Sequence, residues 1–208
     1  MSAMLTVLLA EDEPLNALAL HAQLETLGHQ VIGPATDGQA AVELARQHPI
    51  DLAILDIRLP GLSGLEAARQ IFAARPVPII VLTGYSDSET VAEAADAPVF
   101  HYLIKPISID DLQPAISVAR SRFLEWRTFT DEAATLERKL ADRKVIEQAK
   151  RVLMEARHCT EAEAYRLLQR ESQNRNHPMV EVARAVLIAQ GLPSDAPEEG
   201  FTPSDPEA

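Results

Sequence analysis

LAILDIRLPGLSG, residues 52–64, decides how the first half of this chain is read. It opens on Leu52, Ala53, Ile54 and Leu55, an apolar run without alternation, the pattern of a strand covered on both faces. The run ends on a carboxylate, Asp56. Pro60, Gly61 and Gly64 then break the chain before a helical pattern begins. A charge at the end of a buried strand has two readings. Either Asp56 caps the following turn, or it is held at the strand end to do chemistry.

Outward from that stretch, short apolar runs alternate with amphipathic ones. Strands are expected at 5–10 (LTVLLA), 30–34, 51–55, 78–82 and 99–104, and helices near 14–27, 38–48, 64–74 and 87–95. A fifth helix is expected after Pro106 with Ser108 as its N-cap. The alternation is that of an α/β fold, a five-stranded doubly wound parallel sheet, in which ligands bind at the C-terminal edge of the strands. Polar residues gather at that edge. The first strand ends in Glu11, Asp12 and Glu13, the third in Asp56, the fourth in Thr83 and Gly84, and the fifth in Lys105 and Pro106.

Three carboxylates (Glu11, Asp12, Asp56) brought together would repel unless a cation joined them, and hard oxygen ligands select Mg²⁺. Such a cation draws in a phosphoryl donor. Asp56 is then the candidate nucleophile, forming an aspartyl phosphate. Lys105 supplies a point charge and Thr83 a hydroxyl for the phosphoryl oxygens.

These residues carry a resemblance. The acidic pair Glu11-Asp12, Asp56 in LDIRLPGLSG, Thr83 in VLTGYS, Tyr102, and Lys105-Pro106 stand in order at the spacing of a response-regulator receiver domain. Residues 5–125 resemble that family. The resemblance implies a flavodoxin-like receiver fold and a sensor histidine kinase as phosphoryl donor to Asp56. It implies Mg²⁺ held by Asp12, Asp56 and the backbone carbonyl of Arg58, with Glu11 acting through water, and a cis Lys105–Pro106 peptide. A dianion on Asp56 would draw Thr83 inward and let Tyr102 turn from exposed to buried. The segment ADAPVFH before Tyr102 departs from the pattern, since many receivers carry a glycine there.

Charge divides the 208 residues unevenly around a net −12. Residues 1–119 hold 5 Lys/Arg against 15 Asp/Glu, 120–190 hold 14 against 11, and 191–208 hold none against 5. An acidic first part argues against nucleic-acid binding there, and a mildly basic second part points to a different partner. The longest apolar runs, such as VPIIVL, fall far short of the roughly 18 residues that cross a bilayer. No basic-apolar-small leader opens the chain, and Cys159 is the only cysteine. No membrane and a cytoplasmic location are therefore expected.

From about 108 the pattern is helical. Leu112, Ile116, Ala119, Phe123 and Trp126 recur at four and three, a heptad seam that falters at Thr130 and Glu137 while Ala133, Leu136 and Leu140 persist nearby. Two readings stand: a coiled coil joining two copies, or one helix packed on its own domain. The expected organisation is a receiver at 1–120, a helical or coiled-coil linker at 121–141, a small three-helix domain at 142–190, and a disordered, Pro- and acid-rich tail at 191–208. Within the small domain, RKVIEQAKRVLMEAR (143–157) continues the long helix or starts a new one. Thr160 and Glu163 have capping-box spacing, Pro178 suits a first helical turn, and Gly191 a stop.

The last of those helices, PMVEVARAVLIAQ, is mostly apolar with Arg184 as its lone cation, a poor reader of a DNA groove. Residues 137–189 instead resemble the ANTAR family, through "AKRVLM", "TEAEAYRLL" and "VARAVL". That family implies binding to hairpins in a nascent mRNA leader and transcription antitermination. Candidate RNA contacts are Lys150, Arg151, Arg157, Tyr165, Arg166, Arg170, Gln173, Asn174, Arg175 and Asn176. Arg166, Arg170 and Gln173 share one helix face. Two hairpins in tandem would favour two modules, hence a homodimer through 112–140. The rivals are a DNA-binding response regulator, a module that only docks another protein, and a phosphatase using Asp56. The last is disfavoured because the position two residues on, where such enzymes often keep an acid, is Arg58.

Overall fold

Strand residues that lack polar alternation fold here into one sheet sandwiched between helices. The computed structural model describes residues 4–84 and 97–190. The strands are β1 (Thr6–Ala10), β2 (Gln30–Ala35), β3 (Leu52–Asp56), β4 (Ile79–Thr83) and β5 (His101–Ile104). They are parallel and ordered β2-β1-β3-β4-β5. The helices are α1 (Pro14–Thr26), α2 (Gly38–Gln47), α3 (Gly64–Ala74), α4 (Ile109–Arg157), α5 (Glu161–Arg175) and α6 (Met179–Ala189). The expected helix at 87–95 and the expected tail at 191–208 lie outside the described residues.

Successive residues of each central strand feed opposite faces. Leu8, Ala53, Leu55, Ile79 and Val81 pack with Ala41 and Val42 of α2 and Leu65, Ala68 and Ile71 of α3. Their neighbours Val7, Leu9, Ile54, Ile80 and Leu82 pack with Leu20 and Leu24 of α1 and with Leu112, Ile116 and Ala119 of α4. Both faces of β3 and β4 are therefore dry, which explains the unbroken apolar runs. Each fully buried Leu or Ile contributes roughly 1.5–3 kcal/mol.

The loop after β3 is tight. Ser63 caps α3 with a reciprocal Glu66 capping box, and the next residue, Gly64, donates its N–H to the Ile57 carbonyl at 3.1 Å. A Cβ on Gly64 would overlap the Asp56 carbonyl oxygen. Only glycine lets the start of α3 press against the strand end that carries Asp56.

The chain divides into two compact units, 1–128 and 129–208. Helix α4 runs unbroken from Ile109 to Arg157 and contributes to both, so 143–157 continues the long helix. Ser108 stands immediately before it, and its N–H and hydroxyl both donate to Asp111 Oδ2, at 2.9 and 2.6 Å.

The heptad seam needs correction. Through Trp126 it faces the chain's own first unit and is not free for a second copy. Leu112, Ile116 and Ala119 lie in the sheet core, while Phe123 and Trp126 join Phe72 and Phe100 in a four-ring cluster. Phe72 and Trp126 meet edge-on at 4.8 Å between centroids. Aromatic packing of this kind adds about 0.5–1.5 kcal/mol per pair beyond area. Beyond it Phe129, Ala133, Leu136 and Leu140 are exposed along α4.

In the second unit Val145 and Ala149 of α4, Leu168 of α5, and Val182, Ala183 and Leu187 of α6 form the core. Helix α4 ends with His158 in the left-handed region (φ 50°), and α5 with Asn176 likewise (φ 53°). Thr160 caps α5 in a reciprocal box with Glu163. Pro178 sits at the N-cap of α6, one residue earlier than a first-turn position. Lys150, only 7% exposed, ties α4 to α5 through Glu147 Oε1 at 2.8 Å and Glu161 Oε1 at 2.7 Å.

Two outcomes are expected. Gly64→Ala should lower the stability of the first unit by about 1–3 kcal/mol, read by urea unfolding, because backbone must move to admit the methyl. In the second unit, the Lys150 hydrogen bond holds the Glu161 carboxyl below its ordinary 4.5, and the Thr160 N–H does the same for Glu163. A carboxyl depressed in the fold stabilises above its ordinary pKa, and that support is lost as pH falls through the depressed value. The helical signal should therefore loosen below pH ~4.5, and Glu161→Gln added to Lys150→Met should cost no more than Lys150→Met alone.

Candidate functional site

Four strand ends converge at the C-terminal edge of the sheet. β1 delivers Glu11 and Asp12, β3 ends on Asp56, β4 on Thr83, and β5 is followed by Lys105. Glu11, Asp12 and Asp56 each present a carboxylate oxygen, all within 4.8 Å of one another. Glu11 is 1% exposed and Asp56 6%, whereas Asp12 faces solvent. The Lys105 ammonium bridges the buried pair, donating to Glu11 Oε1 at 2.8 Å and to Asp56 Oδ2. Asp56 Oδ1 accepts the Arg58 N–H at 3.0 Å.

The electrostatics follow from burial. Loss of water raises the Glu11 carboxyl above its ordinary value, the Lys105 hydrogen bond opposes that, and the Asp56 charge adds to the rise. Burial works against the Lys105 ammonium, yet its hydrogen bonds to Asp56 and Glu11 outweigh it and lift its pKa above 10.5. Glu11 Oε2 is buried without a hydrogen bond among the described residues, although the Lys105 ammonium lies 2.7 Å away. Three carboxylates with a single ammonium among them, and an opening through Asp12, make a donor set suited to a hard divalent cation.

The remaining expected residues stand around this centre. Thr83 is buried, and its hydroxyl donates to the Gly84 carbonyl at 3.2 Å. The Lys105 N–H donates to the Thr83 carbonyl at 2.9 Å, which ties β5 to β4. Lys105–Pro106 is cis, as is Gly33–Pro34, the latter without any cue in the sequence reading. Tyr102 is half-buried against the α2–α3 core, and burial pushes its phenol pKa up. Arg58 meets Asp56 through its N–H.

In the second unit the ten candidate RNA residues separate. Lys150 is buried in its carboxylate clamp and Arg175 pairs with Glu171. Lys150 is thereby enclosed, whereas the Arg175 pair is exposed to solvent. The Asn176 backbone closes the turn after α5, accompanied by Ser172 and His177. Arg157, Arg166, Arg170 and Gln173 instead line one open groove of about 650 Å³. Arg151 and Asn174 are exposed away from its lining, and Tyr165 is 44% exposed, so it is not a core residue.

Sequence reasoning missed Leu167 and Gln169, which line the same groove. Extending the helix face that carries Arg166 and Arg170 would have found both. It also missed Glu147 and Glu161, the partners of Lys150. Glu147 could have been found as an acid three residues before Lys150 on the same helix, whereas the Glu161 contact is visible only once α4 and α5 fold together.

Comparison with known proteins accords with this geometry. The response regulator receiver domain profile matches residues 7–117, and the ANTAR domain profile residues 134–187. The chain is 43% identical over 189 residues to the transcriptional regulatory protein PdtaR of Mycobacterium tuberculosis, covering 91% of this chain and 92% of that protein. Among solved structures, the signal receiver domain of a modulated diguanylate cyclase from Desulfovibrio desulfuricans is 37% identical with a TM-score of 0.55, covering 59% of this chain and 99% of that one. The receiver domain of the sensor histidine kinase PA1611 from Pseudomonas aeruginosa, with a magnesium ion coordinated in its active-site cleft, is 34% identical with a TM-score of 0.51, covering 58% and 98%. An acid pocket bridged by a lysine at the sheet edge, followed by a three-helix unit, thus marks this chain as a member of the response-regulator family that joins a receiver domain to an ANTAR domain.

Proposed function

We propose that this response regulator takes a phosphoryl group on Asp56 from a sensor histidine kinase, and that its ANTAR unit binds hairpin RNA to cause transcription antitermination. The observation that carries the reading is the Lys105 ammonium shared between Glu11 and Asp56 at the convergence of four strand ends.

An Asp56 oxygen attacks the phosphorus of a phosphohistidine. The O–P bond forms as the P–N bond breaks, and the imidazole nitrogen leaves with the electron pair. Asp12, Asp56 and the Arg58 carbonyl would hold Mg²⁺, with Glu11 acting through water. When bound, the ion supplies positive charge to the phosphoryl oxygens. The Lys105 ammonium moves from the Asp56 carboxylate to those oxygens. The Thr83 hydroxyl turns from the Gly84 carbonyl to the same group, and half-buried Tyr102 rotates into the space beside it. Exposed Leu15 and Leu18, on the first turns of α1 after the acid loop, and exposed Ile104, before Lys105, offer the kinase an apolar surface.

RNA is favoured over duplex DNA by the character of α6. Its Val182, Ala183 and Leu187 are buried in the core, so it is committed to packing rather than to a groove. The exposed cations cluster instead around α5. Tyr165 stands free to stack on a base. The role is regulatory rather than enzymatic. Two copies pair along Phe129, Ala133, Leu136 and Leu140, exposed at spacings of four, three and four.

Acetyl phosphate with Mg²⁺ should place one base-labile phosphoryl group on the wild-type chain and none on Asp56→Asn, read by intact mass. Asp12→Asn should slow labelling by about 100-fold. The labelled chain should shift a hairpin RNA and not duplex DNA at the same stated salt. Its sedimentation coefficient should rise on labelling, and Leu136→Asp should abolish that rise. Unlabelled wild type, or a preference for duplex DNA, would overturn the respective half of the reading.

A further inference from the structure

The groove between the end of α4 and the exposed face of α5 has a composition that the rest of the second unit lacks. Arg157 comes from the last turn of α4, and Arg166 and Arg170 from successive turns of α5. None of the three forms an ion pair among the described residues, whereas Lys150 and Arg175, near them in sequence, are paired. Below them lies a partly apolar floor of half-buried Leu167 and Cys159. Gln169 and Gln173 extend two amides along the same wall. The one acid present, Glu163, is held by the Thr160 backbone and hydroxyl at 2.8 Å each, and its charge also falls on Arg166.

Each part matches one part of a nucleotide. Guanidinium forks fit phosphate oxygens in bidentate fashion. An apolar floor suits the face of a base, and amides can donate to and accept from its edge. The cavity, about 650 Å³, lies inside the roughly 300–1,000 Å³ range of small-ligand sites. An acidic peptide would use the arginines but leave the floor and both glutamines unmatched. A base within a duplex could not present its face to the floor. The ligand that uses all three parts is a nucleotide that is both unpaired and unstacked.

We infer that this groove is the subsite for one unpaired nucleotide of the RNA loop, with Arg157, Arg166 and Arg170 on its flanking phosphates, Leu167 under the base, and Gln169 and Gln173 on the base edge. The inference rests on the RNA-binding reading and adds to it a single-base pocket. Lys150 is no part of this contact: its two carboxylates fix the α4–α5 corner and so set the distance between Arg157 and Arg166.

The test uses the full-length chain and a hairpin RNA selected on it from a random-loop pool. Abasic sugars replace each loop base in turn. One loop position should lose about 10-fold or more in affinity for wild type. Gln173→Ala should lose a similar factor on the intact hairpin, and the two changes together should cost little more than either alone. Arg166→Ala and Arg170→Ala should each weaken binding on every hairpin and reduce the salt slope by about one. Arg166, Arg170 and Gln173 are exposed, and circular dichroism verifies the fold of each variant. If a hairpin is selected and bound but Gln173→Ala changes nothing, or its effect adds fully to that of every abasic site, the pocket is refuted while RNA binding stands. If no hairpin is recovered from the pool, both the pocket and the RNA reading fall.

Discussion

A lysine ammonium shared by two buried carboxylates is the constraint on which the first unit depends. Glu11 and Asp56 sit at the ends of adjacent strands, both almost without solvent, and their charges would repel were Lys105 not between them. The charge balance is incomplete. Three carboxylates have one ammonium among them. A site short of positive charge in this way has the donor chemistry of a hard divalent cation.

The surrounding fold exists to hold that geometry. β1, β3 and β4 are central and covered on both faces, so their ends cannot move independently. Gly64 allows α3 to press on the Asp56 backbone, and the Lys105 N–H bond to Thr83 ties the lysine to the neighbouring strand. Phe72, Phe100, Phe123 and Trp126 then hold the first part of α4 to the same unit. Phe100, a ring of this cluster, immediately precedes the strand β5 that carries Tyr102.

The second unit sorts its charges by packing. Lys150 and Arg170 read alike in the sequence, as cations on helices, yet one is consumed by Glu147 and Glu161 and the other faces an open groove. The heptad seam divides in the same manner. Leu112 through Trp126 recur with the right period but face the first unit, while Phe129 through Leu140 remain exposed. A helical period records that a face is apolar and says nothing of what covers it.

The sequence by itself determined the strands, their order as βα repeats, and the polar residues at their ends. Strand burial on both faces leaves an unbroken apolar run, and the C-terminal edge follows from the parallel βα connection. Glu11, Asp12, Asp56, Thr83 and Lys105 were thus legible as neighbours on one sheet edge, because each lies at the first or second polar position after an apolar run. Tertiary structure alone decided that Lys150 pairs with Glu161, which half of the α4 seam is covered, and that Leu167 and Gln169 share a groove with Arg157. These depend on distances between residues on different elements. Such distances arise only when the elements pack, and no local period or composition encodes them.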